Sequence, residues 1–153
     1  MLPLMLPIVG CGADRIDVLL ECPSPDHTVT AVLWVEGGGG AAGWVQDLIS
    51  IQSTDVNYDA IDKRTGEDSP ILAINKGEAY RLKWESNDRL VVEVDHSPRA
   101  TVYAMRRSQE LAGRQISVMY REGQAEEHPF SGPQTRCESG STTLITPASK
   151  RIR

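Results

Sequence analysis

The chain has 153 residues, 16 Lys and Arg against 21 Asp and Glu for a net charge of −5, 40% hydrophobic residues, and three Trp, four Tyr and one Phe. A chain of this length buries roughly 68–70% of its unfolded surface, so it needs neither metal nor disulfide to have a core, and it is too short for two large domains. An acidic pI near 5.2 argues against nucleic acid, whose affinity comes from Lys and Arg neutralising phosphates; the sequence holds no apolar window long enough to span a membrane as a helix, and a charged fraction of 24% excludes wholesale disorder.

Residues 1 to 10 carry no charged side chain and lead to Cys11, after which polarity rises with Asp14 and Arg15. The run Ile8-Val9-Gly10-Cys11 resembles the lipobox of bacterial lipoproteins, in which an aliphatic residue, two small or apolar residues and Cys are read by the lipidating and cleaving enzymes. By that resemblance Cys11 is diacylglycerated and becomes the mature N-terminus. One acyl chain such as palmitate holds a protein only marginally on a bilayer and two or three hold it stably, so the protein would be anchored without spanning. Gly12 rather than Asp after Cys11 is compatible, in diderm bacteria, with outer-membrane delivery. A secretory signal also opens with Lys or Arg; that basic region is missing here, which predicts a true start upstream of Met1, and Pro3 and Pro7 interrupt the helix such a stretch forms. The other reading is an apolar N-terminal strand with Cys11 as a buried small hydrophobe.

Further along, Pro23-Ser24-Pro25-Asp26 is turn chemistry. Thr28 to Glu36 then alternates with period two and has both faces partly covered, which predicts a strand ended by Gly37 to Gly40. Trp44 to Ile51 fits either a strand or two helical turns. Residues 53 to 69 are polar and read as a long loop, and Ile71 to Ile74 as a short strand. Tyr80, Leu82 and Trp84, the turn residues Ser86-Asn87-Asp88, and Leu90, Val92 and Val94 make a hairpin. Thr101 to Met105 and Gln115 to Tyr120 are further strands, with one or two helical turns expected over Arg106 to Ala112, capped by Gly113. From Glu122 on, Gly, Pro, Ser and Thr predict a flexible tail. No repeat of 20 to 50 residues points to a solenoid or propeller. The expected architecture is a mainly β domain, a small antiparallel sheet or meander of about six to seven strands with one short helical segment. Its divisions are 1–10 as signal remnant, 11–27 as tether and turn, 28–121 as β domain and 122–153 as flexible tail.

These pieces, in order, resemble a family of small bacterial lipoproteins of unknown function, over roughly residues 8 to 121. The matching residues are the lipobox-like Cys11, Ser24-Pro25-Asp26, Ala31-Val32, Gly40-Ala41-Ala42-Gly43-Trp44, Trp84 with Ser86, Asp88 and Leu90, Arg99-Ala100-Thr101-Val102-Tyr103, and Ile116-Ser117-Val118-Met119-Tyr120. His27 departs from the family's Gly and Ala42 and Gly43 from its Thr pair, and the tail beyond Arg121 has no counterpart. The resemblance implies a cell-envelope location and a β fold, and carries no activity.

Several constellations bear on chemistry. Gly38, Gly40 and Gly43 follow a strand with the glycine spacing of a dinucleotide loop, and Asp59 lies about where a ribose-binding acid would. Alternating βα units are missing, however, so an inter-strand loop is the preferred reading. Asp55, Asn57 and Asp59 occupy the first three ligand positions of a calcium loop, but Ala60, Lys63 and Gly66 stand where the turn glycine, an oxygen ligand and the bidentate Glu belong. His27, His96 and His128 have no ligand partner at metal-site spacing, and no nucleophile elbow or paired carboxylates can be named. Cys22 and Cys137 would be left as an even pair in an oxidising compartment, bridged or as two free thiols. Lys150, Arg151 and Arg153 form a small basic end, read as a solvated tail or a contact with anionic headgroups.

The expectation is therefore a non-enzymatic cell-envelope lipoprotein facing the periplasm or exterior. Its partners would be the bilayer, through acyl chains on Cys11, and an unknown envelope protein; no cofactor, metal or nucleic acid is expected. A soluble small-ligand or protein-binding β module is the alternative, with the 37–44 and 53–69 loops as contacts, and an unrecognised hydrolase the third reading.

Overall fold

The computed structural model describes residues 15–39, 43–54, 70–75, 77–96, 98–122, 135–140, 142–145 and 150–152. These form twelve strands and no helix: β1 (Arg15–Pro23), β2 (Val29–Gly38), β3 (Trp44–Ser53), β4 (Leu72–Ile74), β5 (Gly77–Ser86), β6 (Arg89–His96), β7 (Val102–Met105), β8 (Ser108–Leu111), β9 (Arg114–Glu122), β10 (Arg136–Ser139), β11 (Thr142–Ile145) and β12 (Lys150–Ile152). They lie in two six-stranded sheets, β12-β1-β2-β3-β4-β7 and β11-β10-β5-β6-β9-β8. The mainly β expectation holds. The single small sheet is replaced by a pair, and two neighbours, β5–β10 and β6–β9, run parallel. A parallel neighbour requires a crossover, which β6 to β9 makes by passing through the other sheet as β7.

The sheets enclose one core. Val29, Ala31, Leu33, Ile49, Ile51, Leu72 and Ile74 from the first meet Leu82, Trp84, Leu90, Val92, Ile116 and Val118 from the second. Period-two alternation selects these residues on each strand, because successive side chains point to opposite faces. Val32, Trp34 and Leu48 form a second buried cluster on the other face of the first sheet with Ile16, Val18 and Ala73. Both faces of β2 are thus buried, which explains its nearly continuous apolar sequence.

Within β1, Val18 pairs with Trp34 but Leu20 with Leu33, so Leu19 is an extra residue in a bulge. A bulge shifts the facing of everything beyond it. Ile16 and Val18 therefore face outward, whereas Leu20 and Cys22 face the core between the sheets. There Cys22 is bridged to Cys137 of β10, with Cα atoms 5.3 Å apart and both residues fully buried. The Trp84 indole N–H donates to the Cys22 carbonyl at 2.9 Å.

Two expectations are corrected, and one open reading is decided. Residues 106–112 contain no helical turn; β8 pairs with β9 through Leu111↔Arg114. Ala112 (φ 52°) and Gly113 (φ 74°) close that hairpin as a two-residue turn with both angles positive, the geometry that matches strand twist. Gly113 is a turn glycine, not a helix cap, and Gln109 and Leu111 alternate with Ser108 and Glu110 as strand residues do. The boundaries 28–121 are too narrow, since β1 lies before them and β10 to β12 lie in the expected flexible tail. Of the two readings open for Trp44 to Ile51, the strand is the one formed: Trp44–Ser53 pairs along its length with Val29–Gly38. The expected 53–69 loop falls, beyond Thr54 and before Pro70, outside the described residues.

Two outcomes follow from this geometry. The bridge closes a separation of 115 residues, so reduction, or Cys22→Ala with Cys137→Ala, should lower unfolding free energy by about 5 kcal/mol in the chain-entropy model; an unchanged urea midpoint would contradict it. His27 (φ 56°) and Ala112 sit in the left-handed region, which costs a residue with a Cβ about 1 kcal/mol. His27→Gly and Ala112→Gly should each raise the urea midpoint, and a fall in either would count against the turn assignment.

Candidate functional site

At Arg106 and Arg107 the chain leaves β7 and enters β8, changing sheets. β8 pairs only with the first part of β9, Arg114 to Ser117, and the Val118 N–H donates to the Arg107 carbonyl as the last rung. Beyond that rung β7 and β9 diverge as the arms of a fork. The Tyr120 hydroxyl ties the fork together, 2.7 Å from the carbonyls of both Ile71 and Arg106, sharing its one proton between them. Burial holds that phenol above its ordinary range.

The fork opens into two adjoining cavities of about 310 and 190 Å³, both lined by Met105 and Tyr120. The smaller has an apolar floor of Leu72, Ile74 and Val94; the larger is flanked by Arg89, Arg107 and Met119. Among the described residues β7 ends its sheet, with β4 on one side only. Its Val102, Tyr103 and Met105 are 46%, 61% and 49% exposed. An edge strand presents unpaired backbone donors and acceptors, and this one also exposes three large apolar side chains. Arg89 and Arg121 share the Glu85 carboxylate at 3.2 and 3.7 Å. Among the described residues no carboxylate pairs with Arg106 or Arg107. On a chain of net charge −5, this rim is locally cationic.

At the opposite end a polar cluster clasps the two sheets. Asp26, in the turn from β1 to β2, accepts from the Ser24 hydroxyl at 2.7 Å and from the Thr28 N–H at 3.1 Å. Arg114, at the start of β9, lies 2.9 Å from the Asp26 carboxylate and 3.5 Å from that of Asp88, and its other nitrogen donates to the Thr28 hydroxyl. The Asp26 N–H donates to the Asn87 side chain at 3.1 Å. Arg114 first, then Ser24 and Thr28, hold the Asp26 carboxyl far below its ordinary 3.8. The cluster joins three turns, and both Asp26 carboxylate oxygens are engaged by the protein itself, so it acts as a fastening.

The residues singled out in the sequence do not converge. Gly38 ends β2 opposite Trp44, and Gly43 immediately precedes β3; these two strands are antiparallel neighbours, so no helix N-terminus follows the glycines to hold a pyrophosphate, and the dinucleotide reading fails. Gly40, Asp55, Asn57, Asp59, Cys11 and His128 lie outside the described residues. His27 is exposed in its turn, and His96 ends β6 on the other sheet. Among the described residues no group of three or more His, Cys, Asp or Glu is placed to hold a metal ion. Sequence reasoning missed the fork. Its signal was the two strands around Arg106-Arg107 with no turn residue between Met105 and Ser108, which marks a chain that changes sheets without a hairpin.

The fold and fork together define an all-β, two-sheet sandwich with an open strand edge. Comparison with protein-family models, curated proteins and solved structures gives no match.

The clasp generates a pH prediction. Because the folded-state pKa of Asp26 is depressed, its stabilisation is fully present above the unfolded carboxylate value and is lost as pH falls below it. Asp26→Asn should be less stable than the parent at pH 7, and the difference should shrink as pH drops below about 4. A difference constant from pH 7 to pH 2.5 in denaturant titrations would contradict the clasp.

Proposed function

We propose that this chain is a non-enzymatic protein of the bacterial cell envelope, held to a membrane by acyl chains on Cys11 and presenting its β sandwich to the periplasm or exterior. The observation that carries the reading is the division of its three cysteines. Two of them, Cys22 and Cys137, make a buried bridge, a bond that persists in oxidising compartments and is rare in reducing ones. The third, Cys11, completes the lipobox-like run Ile8-Val9-Gly10-Cys11. A thiol left over beside a buried bridge suits lipidation, and the ordered resemblance to small lipoproteins supports the same location. Fractionation tests it: the parent protein should sediment with membranes and Cys11→Ala should move to the soluble fraction. Equal membrane association of the two would contradict the anchor.

The fork favours a second reading, compatible with the first, in which the sandwich binds an extended acidic segment of an envelope partner along β7. Strand addition supplies backbone hydrogen bonds at an open edge, and the neighbouring cavities take alternate side chains. The charges favour an acidic partner over a second copy: Arg99 precedes β7 and Arg106-Arg107 follow it, so antiparallel pairing of two β7 strands would set arginines against arginines, and like charges opposed across strands repel. A labelled peptide alternating Glu and Leu should bind, with affinity weakened at least about tenfold by Arg106→Glu with Arg107→Glu, since charge complementarity selects the partner. Equal binding of a Lys-Leu peptide, or a concentration-dependent dimer, would contradict this reading.

A further inference from the structure

The start of β1 and the hairpin between β2 and β3 share one end of their sheet. Arg15 faces Gly37, Gly37 faces Val45, and Trp44 lies one residue further out, opposite Gly38. Trp44 is 42% and Val45 61% exposed, whereas Trp34 and Trp84 are 0% and 3% exposed. The exposed indole is therefore at this end. The backbone packs closely against it there: a Cβ on Gly39 would stand 3.2 Å from the Trp44 ring, and Gly39 adopts a positive φ of 93° that favours glycine.

We infer that Trp44 and Val45 dock this end of the sandwich into the lipid bilayer interface beside the anchor. The inference rests on the reading of Cys11 as the lipidated residue. Cys11 precedes Arg15 by four residues, at most about 14 Å of fully extended chain. Neighbouring strands spaced at about 4.8 Å put Val45 only about 10 Å across the sheet from Arg15. With Cys11 at the boundary between headgroups and acyl chains, so short a tether keeps this end within reach of the surface in every orientation. An amphipathic indole is favoured at headgroup depth, and burying Trp44 and Val45 there removes exposed apolar area from water.

Charge placement sets which corner touches. Arg15 opens β1, and the backbone of β12 pairs Lys150 and Arg151 with Val18 and Asp17; basic residues at these sequence positions are of the kind an anionic lipid surface attracts. At the corresponding end of the other sheet Asp95 and Glu122 pair with Ala79 and Val94, and the neighbouring Arg121 has its charge met by Glu85 at 3.7 Å. The contact is made by the corner that carries β1, β12 and the β2–β3 hairpin, with the other sheet tilted away from the lipid.

The test separates this docking from the lipidation itself. Cys22 and Cys137 are bridged, so the full chain can be coupled through the Cys11 thiol to maleimide-bearing lipid in vesicles of phosphatidylcholine and phosphatidylglycerol. Coupling to the vesicles should blue-shift the tryptophan emission of the parent protein, and brominated phospholipids should quench it. Both effects should be lost in Trp44→Phe, whose remaining indoles are buried. Absence of quenching in the coupled parent, or quenching unchanged by Trp44→Phe, overturns the docking even if cellular Cys11 proves to be acylated. An unacylated Cys11 in cells overturns the lipoprotein reading and with it the physiological setting of the docking, whatever the vesicles show.

Discussion

The bulge at Leu19 sets the facing of β1, and much of the molecule depends on that. Without the extra residue, Cys22 would follow Ile16 and Val18 to the outer face, since residues two apart on a strand share a side. With it, Cys22 turns into the core and meets Cys137, which brings β10 against the first strand. The bridge joins the two sheets near the end where Asp26 and Arg114 also fasten them. Covalent and ionic ties therefore act at one end of the sandwich. The core between the sheets, with Ile51, Leu82 and Leu90 fully buried, spreads that constraint through packing.

The other end is held differently. Tyr120 ties the fork through two backbone carbonyls, and the Tyr80 hydroxyl donates to the Asp47 carboxylate at 2.6 Å. Burial, and then that carboxylate, hold the Tyr80 phenol above its ordinary range, so it remains a donor across physiological pH. The exposed apolar groups are displayed on this half: Trp44 and Val45 at the hairpin, Val102 and Tyr103 on the edge strand. Among the described residues nothing pairs with the outer side of β7, and an exposed edge carries an aggregation cost that proteins usually counter with charge. Arg106 and Arg107, which follow β7, supply charge of that kind.

Several of these features are legible in the amino-acid sequence. Alternation identifies the β2 strand and the Tyr80–Val94 hairpin because each buries a face whose residues recur with period two. Ser24-Pro25-Asp26 is legible as a turn, since Pro and Asp have local conformational reasons to be there; the partner that makes Asp26 a clasp, Arg114, is 88 residues away and carries no local signal. The helix expected over 106–112 fails because a glycine ends a helix and closes a hairpin for the same reason, its tolerance of positive φ. The four strand residues from Ser108 are too few for alternation to arbitrate. The polar tail misleads in a different way: β10 has one buried residue, Cys137, and owes its place to the bridge and to β5 rather than to hydrophobic pattern. The fork leaves only an indirect trace, the missing turn residues between Met105 and Ser108; which strands its arms pair with is a consequence of tertiary contacts that no local pattern carries.

On the proposed reading the three cysteines divide between two uses, Cys22 and Cys137 in the bridge between the sheets and Cys11 as the attachment point for lipid. Intact-mass spectrometry of the protein extracted from membranes, with thiol alkylation under denaturing, non-reducing conditions, addresses both parts at once. The predicted result is a chain beginning at an acylated Cys11 that takes up no alkylating reagent until it is reduced, and then two equivalents. An unacylated chain that still carries the residues before Cys11, or alkylation of Cys22 and Cys137 before reduction, would contradict it.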